Sequence, residues 1–373
     1  MKKRRNENIV NILSAAVFAV FIFGIAIVNL FHGNGSFSEN ENRYLASFPE
    51  VSAQNVFFGD FDTEFETWFS DQFIGRDTWI ERKAAARRSM GAIENNGVYF
   101  ASGQRLIQQF LSYDESQLEH NIRYLLDFAE ENKVRLNVLL VPGAGTGEKK
   151  FLPFGAYNVD ETKLISDIYA QMPSQNCIEI APALSSSGDY YFHTDHHWNA
   201  EGAKTGYDAI CRSVLKKESL AFSYTEVSDD FKGTMYSRSG AFWTKADPVI
   251  RIDPVHPRSF TVTFEDGSVM HSLYADARLK EKDKYTYYLD GNHPYVNIKT
   301  DIEGGRRAVI IKDSFAHILL PFLACEYSEI DMFDLRYYNG SVSEYIKDRE
   351  NTDVYVIYGA ETFCTDKNLA VLW

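Results

Sequence analysis

The run Thr194-Asp195-His196-His197-Trp198-Asn199 places a carboxylate, two imidazoles and an indole directly before an amphipathic helix. A second informative stretch, Ile311-Lys312-Asp313-Ser314-Phe315, lies between a short apolar run and an apolar helix start, which predicts a strand-to-helix turn. In an extended segment, side chains at positions i and i+2 share one face, and we expect Asp195 and His197 to pair in this way. With Ser314, the two stretches supply the residue types of a Ser/His/Asp triad.

These residue types suit nucleophilic chemistry. A serine hydroxyl is a weak nucleophile until an imidazole accepts its proton, and a carboxylate fixes the tautomer of that imidazole. The predicted turn would place Ser314 at a helix N-terminus, where free backbone N–H groups can stabilise an oxyanion. We expect Asp313 to secure the turn through backbone hydrogen bonds.

A metal site is the main chemical alternative. Four potential ligands lie within five positions: His193, Asp195, His196 and His197. Imidazole and carboxylate suit zinc, but adjacent residues do not easily all coordinate one ion, and a purely structural role is a third interpretation. We therefore predict a triad that needs neither a metal nor a cofactor. We expect His196 either to line the pocket or to pack, and Trp198 to pack beneath the site.

At these residues the chain resembles the DHHW proteins of Gram-positive bacteria. It resembles more distantly the SGNH-like O-acetyltransferases that modify alginate and other cell-surface polysaccharides, which pair an Asp-x-His-Trp run with a later Gly-Asp-Ser-Phe. Three further segments are similar to the family pattern: Ser38-Glu39-Asn40-Glu41-Asn42-Arg43, Trp68-Phe69-Ser70-Asp71-Gln72-Phe73-Ile74-Gly75-Arg76-Asp77 and Asp334-Leu335-Arg336-Tyr337. The resemblance implies Ser314 as nucleophile, His197 as general acid/base and Asp195 as its orienter.

The chain departs from the SGNH pattern at two points. Lys312 stands where the pattern has glycine, and the spacing from Asp195 to His197 is two residues rather than three. A long side chain beside Ser314 could obstruct the pocket, which favours a non-catalytic glycan-binding protein as an alternative. The serine also follows the Asp/His pair, whereas in ordinary SGNH enzymes it comes first, so we expect a circularly permuted strand order.

The permuted order predicts which groups lie beside Ser314. Reading from the strand before Ser314 onward, we expect further strands near residues 330–335, 354–358 and, from the first half of the chain, 135–141. The loops after the second and third strands of this order would hold oxyanion groups, together with the N–H of Ser314, while the Gly291-Asn292 pair is a rival source. The candidates for oxyanion or substrate binding are Arg336, Tyr337, residues 358–361 including Tyr358, Asn292, His196 and Trp198.

An apolar stretch near the N-terminus predicts a membrane anchor. Residues 9–31 carry no charge over 23 positions, which is long enough to cross a hydrocarbon core of roughly 30 Å. The preceding Lys2-Lys3-Arg4-Arg5 is expected to keep the N-terminus in the cytoplasm. A cleaved signal peptide is the alternative, but the exit from the stretch lacks an Ala-x-Ala-like site. The prediction is a single-pass protein with an extracellular catalytic domain and the lipid bilayer as a partner.

Charge and cysteine content narrow the function further. Removing the +3 of the cytoplasmic residues from the net charge of −14 leaves −17 on the exported part. Such a charge repels nucleic acid, so no nucleic-acid partner is expected. The cysteines are widely spaced, and Cys211 and Cys325 fall on apolar helical faces, which favours free thiols over disulfides.

The predicted fold is α/β and SGNH-hydrolase-like, with a circularly permuted parallel sheet flanked by helices, a β-rich insertion and an N-terminal transmembrane helix. Five segments are predicted: a cytoplasmic tail (1–8), the anchor (9–31), a juxtamembrane and helical lead-in (32–133), the catalytic domain (134–373) and, within it, the insertion (222–300).

The predicted function is transfer of an acyl group, most simply acetyl, to a cell-envelope polysaccharide through an acyl-enzyme on Ser314. A carbohydrate esterase with the same triad is the alternative, beside the non-catalytic glycan-binding protein. An exported transferase has no ready supply of acyl-CoA. The resemblance therefore implies an integral-membrane O-acyltransferase that supplies the acyl group.

Overall fold

The computed structural model describes residues 2–31, 33–38, 43–347 and 351–372. Residues 39–42 of one family-like segment lie outside the described residues. The chain forms two compact units, Met1–Ser89 and Met90–Trp373. Residues 90–133, predicted as part of the lead-in, lie in the second unit.

The first unit contains α1 (Lys2–Phe31), β1 (Phe37–Ser38), β2 (Arg43–Tyr44), α2 (Ala53–Phe58), α3 (Phe61–Asp71) and α4 (Arg76–Ser89). The helices of the second unit are α5 (Glu115–Glu131), α6 (Ala144–Gly147), α7 (Glu161–Ala170), α8 (Ala181–Leu184), α9 (Ala200–Ile210), α10 (Thr234–Ser239), α11 (Ala316–Leu323), α12 (Val342–Ile346) and α13 (Ala360–Thr365). Its strands are β3 (Glu94–Asn95), β4 (Val98–Phe100), β5 (Leu106–Gln108), β6 (Leu136–Val141), β7 (Asn176–Cys177), β8 (Phe222–Phe231), β9 (Asp247–Pro254), β10 (Phe260–Phe264), β11 (Val269–Met270), β12 (Tyr295–Thr300), β13 (Arg307–Lys312), β14 (Glu329–Phe333) and β15 (Thr352–Gly359).

Helix α1 is the predicted apolar helix. Its segment Asn11–Asn29 has a mean hydropathy of 2.5 and is long and apolar enough to cross a membrane. The residues after the helix fold back to its end, because the Asn29 side chain accepts the N–H of Ile74 at 2.8 Å. Asp71 at the end of α3 pairs with Arg43 at 2.6 Å and stabilises this turn of the chain.

The second unit is organised around an eight-stranded sheet in the order β11-β10-β12-β14-β13-β15-β6-β7. Strands β14, β13, β15, β6 and β7 are parallel, and β12, β10 and β11 extend the sheet in antiparallel pairing. All six residues of β6 are buried, as expected for a parallel strand covered on both faces. Apolar cores accordingly lie on both sides of the sheet.

The parallel strands confirm the permuted order predicted from the sequence. Strand β13 precedes Ser314 and lies between β14 and β15, and β6 from the first half of the chain pairs with the far side of β15. The carboxyl ends of parallel strands meet at one edge of a sheet, where ligands commonly bind. This edge therefore receives the predicted serine turn.

The segment 222–300 is β-rich as predicted, but it is not a separate body. Strands β8 and β9 form their own two-stranded sheet, whereas β10, β11 and β12 continue the central sheet beyond β14. The Val296↔Met332 register joins β12 to β14. The insertion thus reaches the same sheet whose strand β13 leads to Ser314.

All four cysteines are free thiols, as expected.

Candidate active site

Ser314 lies in the turn between β13 and α11, as the sequence predicts. Asp313 fastens this turn. One of its carboxylate oxygens accepts the N–H of Phe315 at 2.9 Å, and the other accepts the N–H of Gly359 at 2.8 Å. The second bond ties the turn to the end of the neighbouring strand β15, so the backbone around Ser314 is held on two sides.

The structure brings together Asp195, His197 and Ser314. The His197 Nδ1 atom lies 2.6 Å from Asp195 Oδ1, and its Nε2 atom lies 2.7 Å from Ser314 Oγ. Because a carboxylate can only accept, Nδ1 carries the proton and Nε2 is left to accept the serine hydroxyl. His197 and Asp195 are buried, while Ser314 is partly exposed. This is the arrangement in which an imidazole activates a serine.

The Asp195–His197 pair forms through a bend, which corrects the extended segment predicted for it. Residues 194–197 form a bend, and Asp195 Oδ1 accepts the backbone N–H of His197 at 3.0 Å as well as the Nδ1 proton. A short Asp side chain commonly closes such a turn onto the backbone two residues on. The spacing of two residues is therefore compatible with pairing.

The β-rich segment supplies the other contacts of Asp195. The N–H of Thr234, the first residue of α10, donates to Asp195 Oδ2 at 2.8 Å. Burial alone would raise the pKa of Asp195, but the His196 and His197 rings and these hydrogen bonds hold it well below its usual range. Gly233 is required here, because an added Cβ would lie 2.4 Å from the Asp195 Cβ. Asp195 is thus a fixed carboxylate.

Asp247 at the start of β9 holds the chain just before Asp195. Its carboxylate accepts the N–H groups of His193 and Thr194, each at 2.8 Å. Trp198 is fully buried after the bend, and its indole N–H donates to the Phe315 carbonyl at 2.9 Å. The predicted packing position of Trp198 agrees with this contact, which ties the bend to the serine turn.

Tyr285 is a site residue that the sequence analysis did not identify. Its ring stacks on His197 with centroids 3.8 Å apart and planes 5° apart. Its hydroxyl donates to the Ser314 carbonyl at 2.8 Å. One buried side chain therefore contacts both the predicted base and the backbone of the predicted nucleophile. The tyrosine-rich run around position 285 is the available signal, but tyrosines that only pack against a sheet have the same sequence pattern.

Lys312 does not occupy the space beside Ser314. The ammonium is buried and bonds to Asp334 at 2.9 Å, with His317 Nε2 at 2.8 Å. Arg336 also pairs with Asp334, at 2.6 Å. The long side chain at the SGNH glycine position is thus accommodated by a buried ion network at the end of β14, and the predicted obstruction is not observed.

A cavity of about 190 Å³ opens at the carboxyl ends of β6 and β15. Asp195, His196 and Phe315 form one wall of it. The other lining residues are Leu106, Gln108, Phe110, Val141, Gly143, Ala144, Gly145, Asn158, Glu161, Gly359, Ala360, Glu361, Thr362 and Thr365. Desolvation by the surrounding protein, and secondarily the charge of the His197 imidazole, lowers the pKa of His196 to about 4. This wall therefore presents a neutral imidazole at pH 7.

Among the described residues, the predicted oxyanion or substrate candidates that line this cavity are His196 and residues 359–361. Arg336 is partly exposed beside Asp334, and its guanidinium lies 3.5 Å from the Asn292 amide oxygen. Tyr337 is at the surface, and Tyr358 is buried in the core on β15. Their roles stay predictions. The N–H of Ser314, another candidate, donates to no acceptor within the described ranges.

A metal could in principle use the same residues. Asp195, His196 and His197 can each place one ligand atom within 4.8 Å of the others. Both ring nitrogens of His197 are already engaged, however, one by Asp195 and one by Ser314. An ion bound to His197 would break one of these bonds. The hydrogen-bond geometry therefore fits proton transfer by His197 better than metal ligation.

Comparisons with known proteins agree with the predicted resemblance. The model of the DHHW protein family matches residues 158–333, which include both motifs. A crystal structure of a DHHW family protein from Eubacterium siraeum is similar, with a TM-score of 0.64 and 22% identity over 75% of this chain and 96% of that one. None of the curated proteins matches the chain significantly. The resemblance to the DHHW family is confirmed.

Two further solved structures were found in the comparison. Bacillus cereus PatB1, in a structure with a sulfonyl adduct, has a TM-score of 0.59 and 19% identity over 73% of this chain and 98% of that one. The O-acetyltransferase domain of Pseudomonas putida AlgJ has a TM-score of 0.46 and 13% identity over 74% of this chain and 98% of that one. The E. siraeum and PatB1 structures support the α/β fold with a mostly parallel sheet.

Proposed function

We propose that this protein transfers an acyl group, most simply acetyl, to a hydroxyl of a cell-envelope polysaccharide through a covalent intermediate on Ser314. The observation that carries the proposal is the continuous hydrogen-bonded path from Asp195 through His197 to Ser314, with separations of 2.6 and 2.7 Å. The resemblance to SGNH-like O-acetyltransferases directs the proposal to acetyl groups and polysaccharides.

The first half of the reaction forms the acyl-enzyme. His197 Nε2 takes the Ser314 proton while Oγ attacks the carbonyl carbon of the donor ester. In this proposal Asp195 stabilises the resulting imidazolium, and the N–H of Ser314 donates to the oxyanion. His197 then returns the proton to the leaving oxygen as the donor ester bond breaks. Ser314 is left carrying the acyl group.

The second half transfers the acyl group to the acceptor. His197 removes the proton of a glycan hydroxyl, whose oxygen attacks the acyl carbon. The bond to Ser314 Oγ breaks, and His197 gives the proton back to the serine. Water in place of the sugar would release the free acid, so a transferase needs a site that favours the sugar.

The proposed setting is the outer face of a membrane. Helix α1 supports a single-pass anchor, because it is long and apolar enough to span, and the basic residues before it favour a cytoplasmic N-terminus. In this setting the acyl donor comes from a membrane-embedded O-acyltransferase, and the acceptor is an extracellular polysaccharide.

The test measures acylation of Ser314 in the full-length protein in detergent micelles. We expect 4-nitrophenyl acetate to acetylate Ser314, and a sulfonyl fluoride to label the same residue, as read by peptide mass spectrometry. Ser314→Ala should abolish both reactions. The matched control Ser223→Ala removes an exposed hydroxyl on β8 and should leave them unchanged. Undiminished turnover in Ser314→Ala would refute the mechanism.

A second measurement separates transfer from hydrolysis. The enzyme is supplied with the acetyl ester and with cell-wall polysaccharide, and both acetylated polysaccharide and free acetate are measured. Acetylated polysaccharide supports transfer. Free acetate as the sole product with every polysaccharide would replace the transferase by an esterase.

A further inference from the structure

The cavity beside the triad lies where a second substrate could approach it. His196 lines this cavity, and its ring centroid is 3.8 Å from that of His197. Phe315, the residue after Ser314, lines it as well. His197 and Ser314 do not themselves line the cavity, so a group seated against His196 is one ring away from the imidazole that must take the acceptor proton.

The size of the cavity restricts what it can hold. Its volume of about 190 Å³ is below the roughly 300–1,000 Å³ of pockets that enclose drug-sized ligands. One ring of a polymer fits this scale better than several. A chain of sugars would then place a single unit in the cavity and leave its neighbours in solvent.

The floor of the cavity offers hydrogen-bond acceptors. Glu361, on the first turn of α13, is partly exposed, and one carboxylate oxygen accepts the Gln108 amide at 2.7 Å. This bond orients Glu361. Among the described residues, no hydrogen-bond donor contacts its other carboxylate oxygen. Glu161 is more rigid, because the N–H of Gly143 donates to both of its oxygens at 3.0 Å.

The charge of the lining is one-sided. Asp195 and Glu361 contribute carboxyl groups, and His196 contributes an imidazole. Glu161 adds a third carboxyl group, but burial raises its pKa to about 7, so it carries only part of a negative charge at neutral pH. No lysine or arginine lines the cavity in the part of the chain that the structure describes. Sugar hydroxyls can donate to carboxylate oxygens, whereas a carboxylate or phosphate on the ligand would be repelled by them at short range.

We propose that this cavity is the subsite for one acceptor sugar, that it takes an uncharged pyranose bearing free hydroxyls, and that Glu361 excludes sugars carrying a carboxylate or phosphate. The inference rests on the proposed function, because it treats the cavity as the approach to His197. It adds the chemical class of the acceptor and a residue that selects it.

The test measures binding separately from catalysis. Ser314→Ala full-length protein in detergent micelles is titrated with methyl glycosides of glucose, galactose, mannose and N-acetylglucosamine, and with the methyl glycosides of glucuronic, galacturonic and mannuronic acid. We expect at least one neutral sugar to bind roughly tenfold or more tightly than its uronic counterpart. Glu361→Gln in the same background should reduce that ratio severalfold.

The control is Glu130→Gln, which neutralises an exposed glutamate on α5 and should leave the ratio unchanged. Thermal melting of each variant verifies folding. Equal binding of neutral and uronic sugars, absence of binding by every neutral sugar, or an unchanged ratio in folded Glu361→Gln would overturn the subsite. Acylation of Ser314 is measured on the wild type alone, so its failure would refute the proposed function without deciding the binding result.

Discussion

Replacement of Gly233 by alanine should disable the site without touching any of its reacting atoms. Gly233 has φ −79°, which alanine also adopts, so the backbone is not strained by the change. The new Cβ would instead lie 2.4 Å from Asp195 Cβ and 2.5 Å from its Oδ2. Ordinary contact begins at 3.4 Å, so Asp195 must move by about 1 Å.

The cost follows from the bonds that this movement breaks. Asp195 Oδ2 accepts the Thr234 N–H at 2.8 Å, and a shift of about 1 Å carries it beyond hydrogen-bond distance. A hydrogen bond to a charged group contributes roughly 1.5–3 kcal/mol. If that loss falls on the imidazolium formed in the transition state, turnover drops by about 10- to 100-fold.

The assay is the rate of 4-nitrophenyl acetate hydrolysis by full-length protein, with a melting curve to show that the variant is folded. The control is Gly33→Ala, because a Cβ added at Gly33 meets no heavy atom within 4 Å. A folded Gly233→Ala variant that retains its rate within threefold would refute the argument that the fit against this glycine positions Asp195.

Three other predictions follow from the structure. Tyr285→Leu should lower kcat of ester hydrolysis by about 2- to 10-fold with little change in KM, since stacking of the ring on His197 contributes roughly 0.5–1.5 kcal/mol. Tyr285→Phe keeps the ring and should retain more of the rate. Equal rates in the two variants would contradict a role for the ring. Burial raises the pKa of Glu161 to about 7 from 4.5, so the folded state holds a proton that the unfolded state loses between these values. Urea unfolding should therefore show stability falling as pH rises from 5 to 7, and Glu161→Gln should flatten this slope. Asp334→Asn should lower the free energy of unfolding measured in urea by roughly 3–5 kcal/mol, because it leaves the buried Lys312 and the half-buried Arg336 without their carboxylate. Lys312→Met should lower it less, since Arg336 still pairs with Asp334. Equal losses in the two variants would contradict the shared ion network.

Local patterns predicted the framework well. The strands that became β13, β14, β15 and β6 were all identified from short apolar runs, and their permuted order followed from the positions of Ser314 and the Asp/His pair. The reason is physical: buried parallel strands have continuous apolar sequences, and the turn after β13 has distinct chemistry.

The contacts around Asp195 were not predictable in the same way. Thr234 contributes only a backbone N–H, and Asp247 is one acid among many. Neither residue carries a local pattern, because each acts through a long-range contact from the β-rich segment. Tyr285 likewise belongs to a tyrosine-rich run in which packing and site residues look the same in sequence.

Lys312 could have been placed better from the sequence. Ile311 on β13 is in register with Phe333 on β14, so the residues that follow them, Lys312 and Asp334, end up side by side. A buried lysine needs such a partner, and the next acidic residue after the neighbouring strand was available. The strand pairing, rather than the departure from glycine, was the informative signal.

The position of β15 has a consequence for how the protein folds. It lies between β13 and β6, and its pairing Val356↔Val138 joins residues more than 200 positions apart. Such non-local pairing raises contact order and slows folding, because a long loop must close before the sheet gains its central strand. A nascent chain that has emerged only as far as Ser314 lacks the strand whose Gly359 fastens the serine turn. If the chain is exported as proposed, assembly of its nucleophile is delayed until the sheet can close outside the cell.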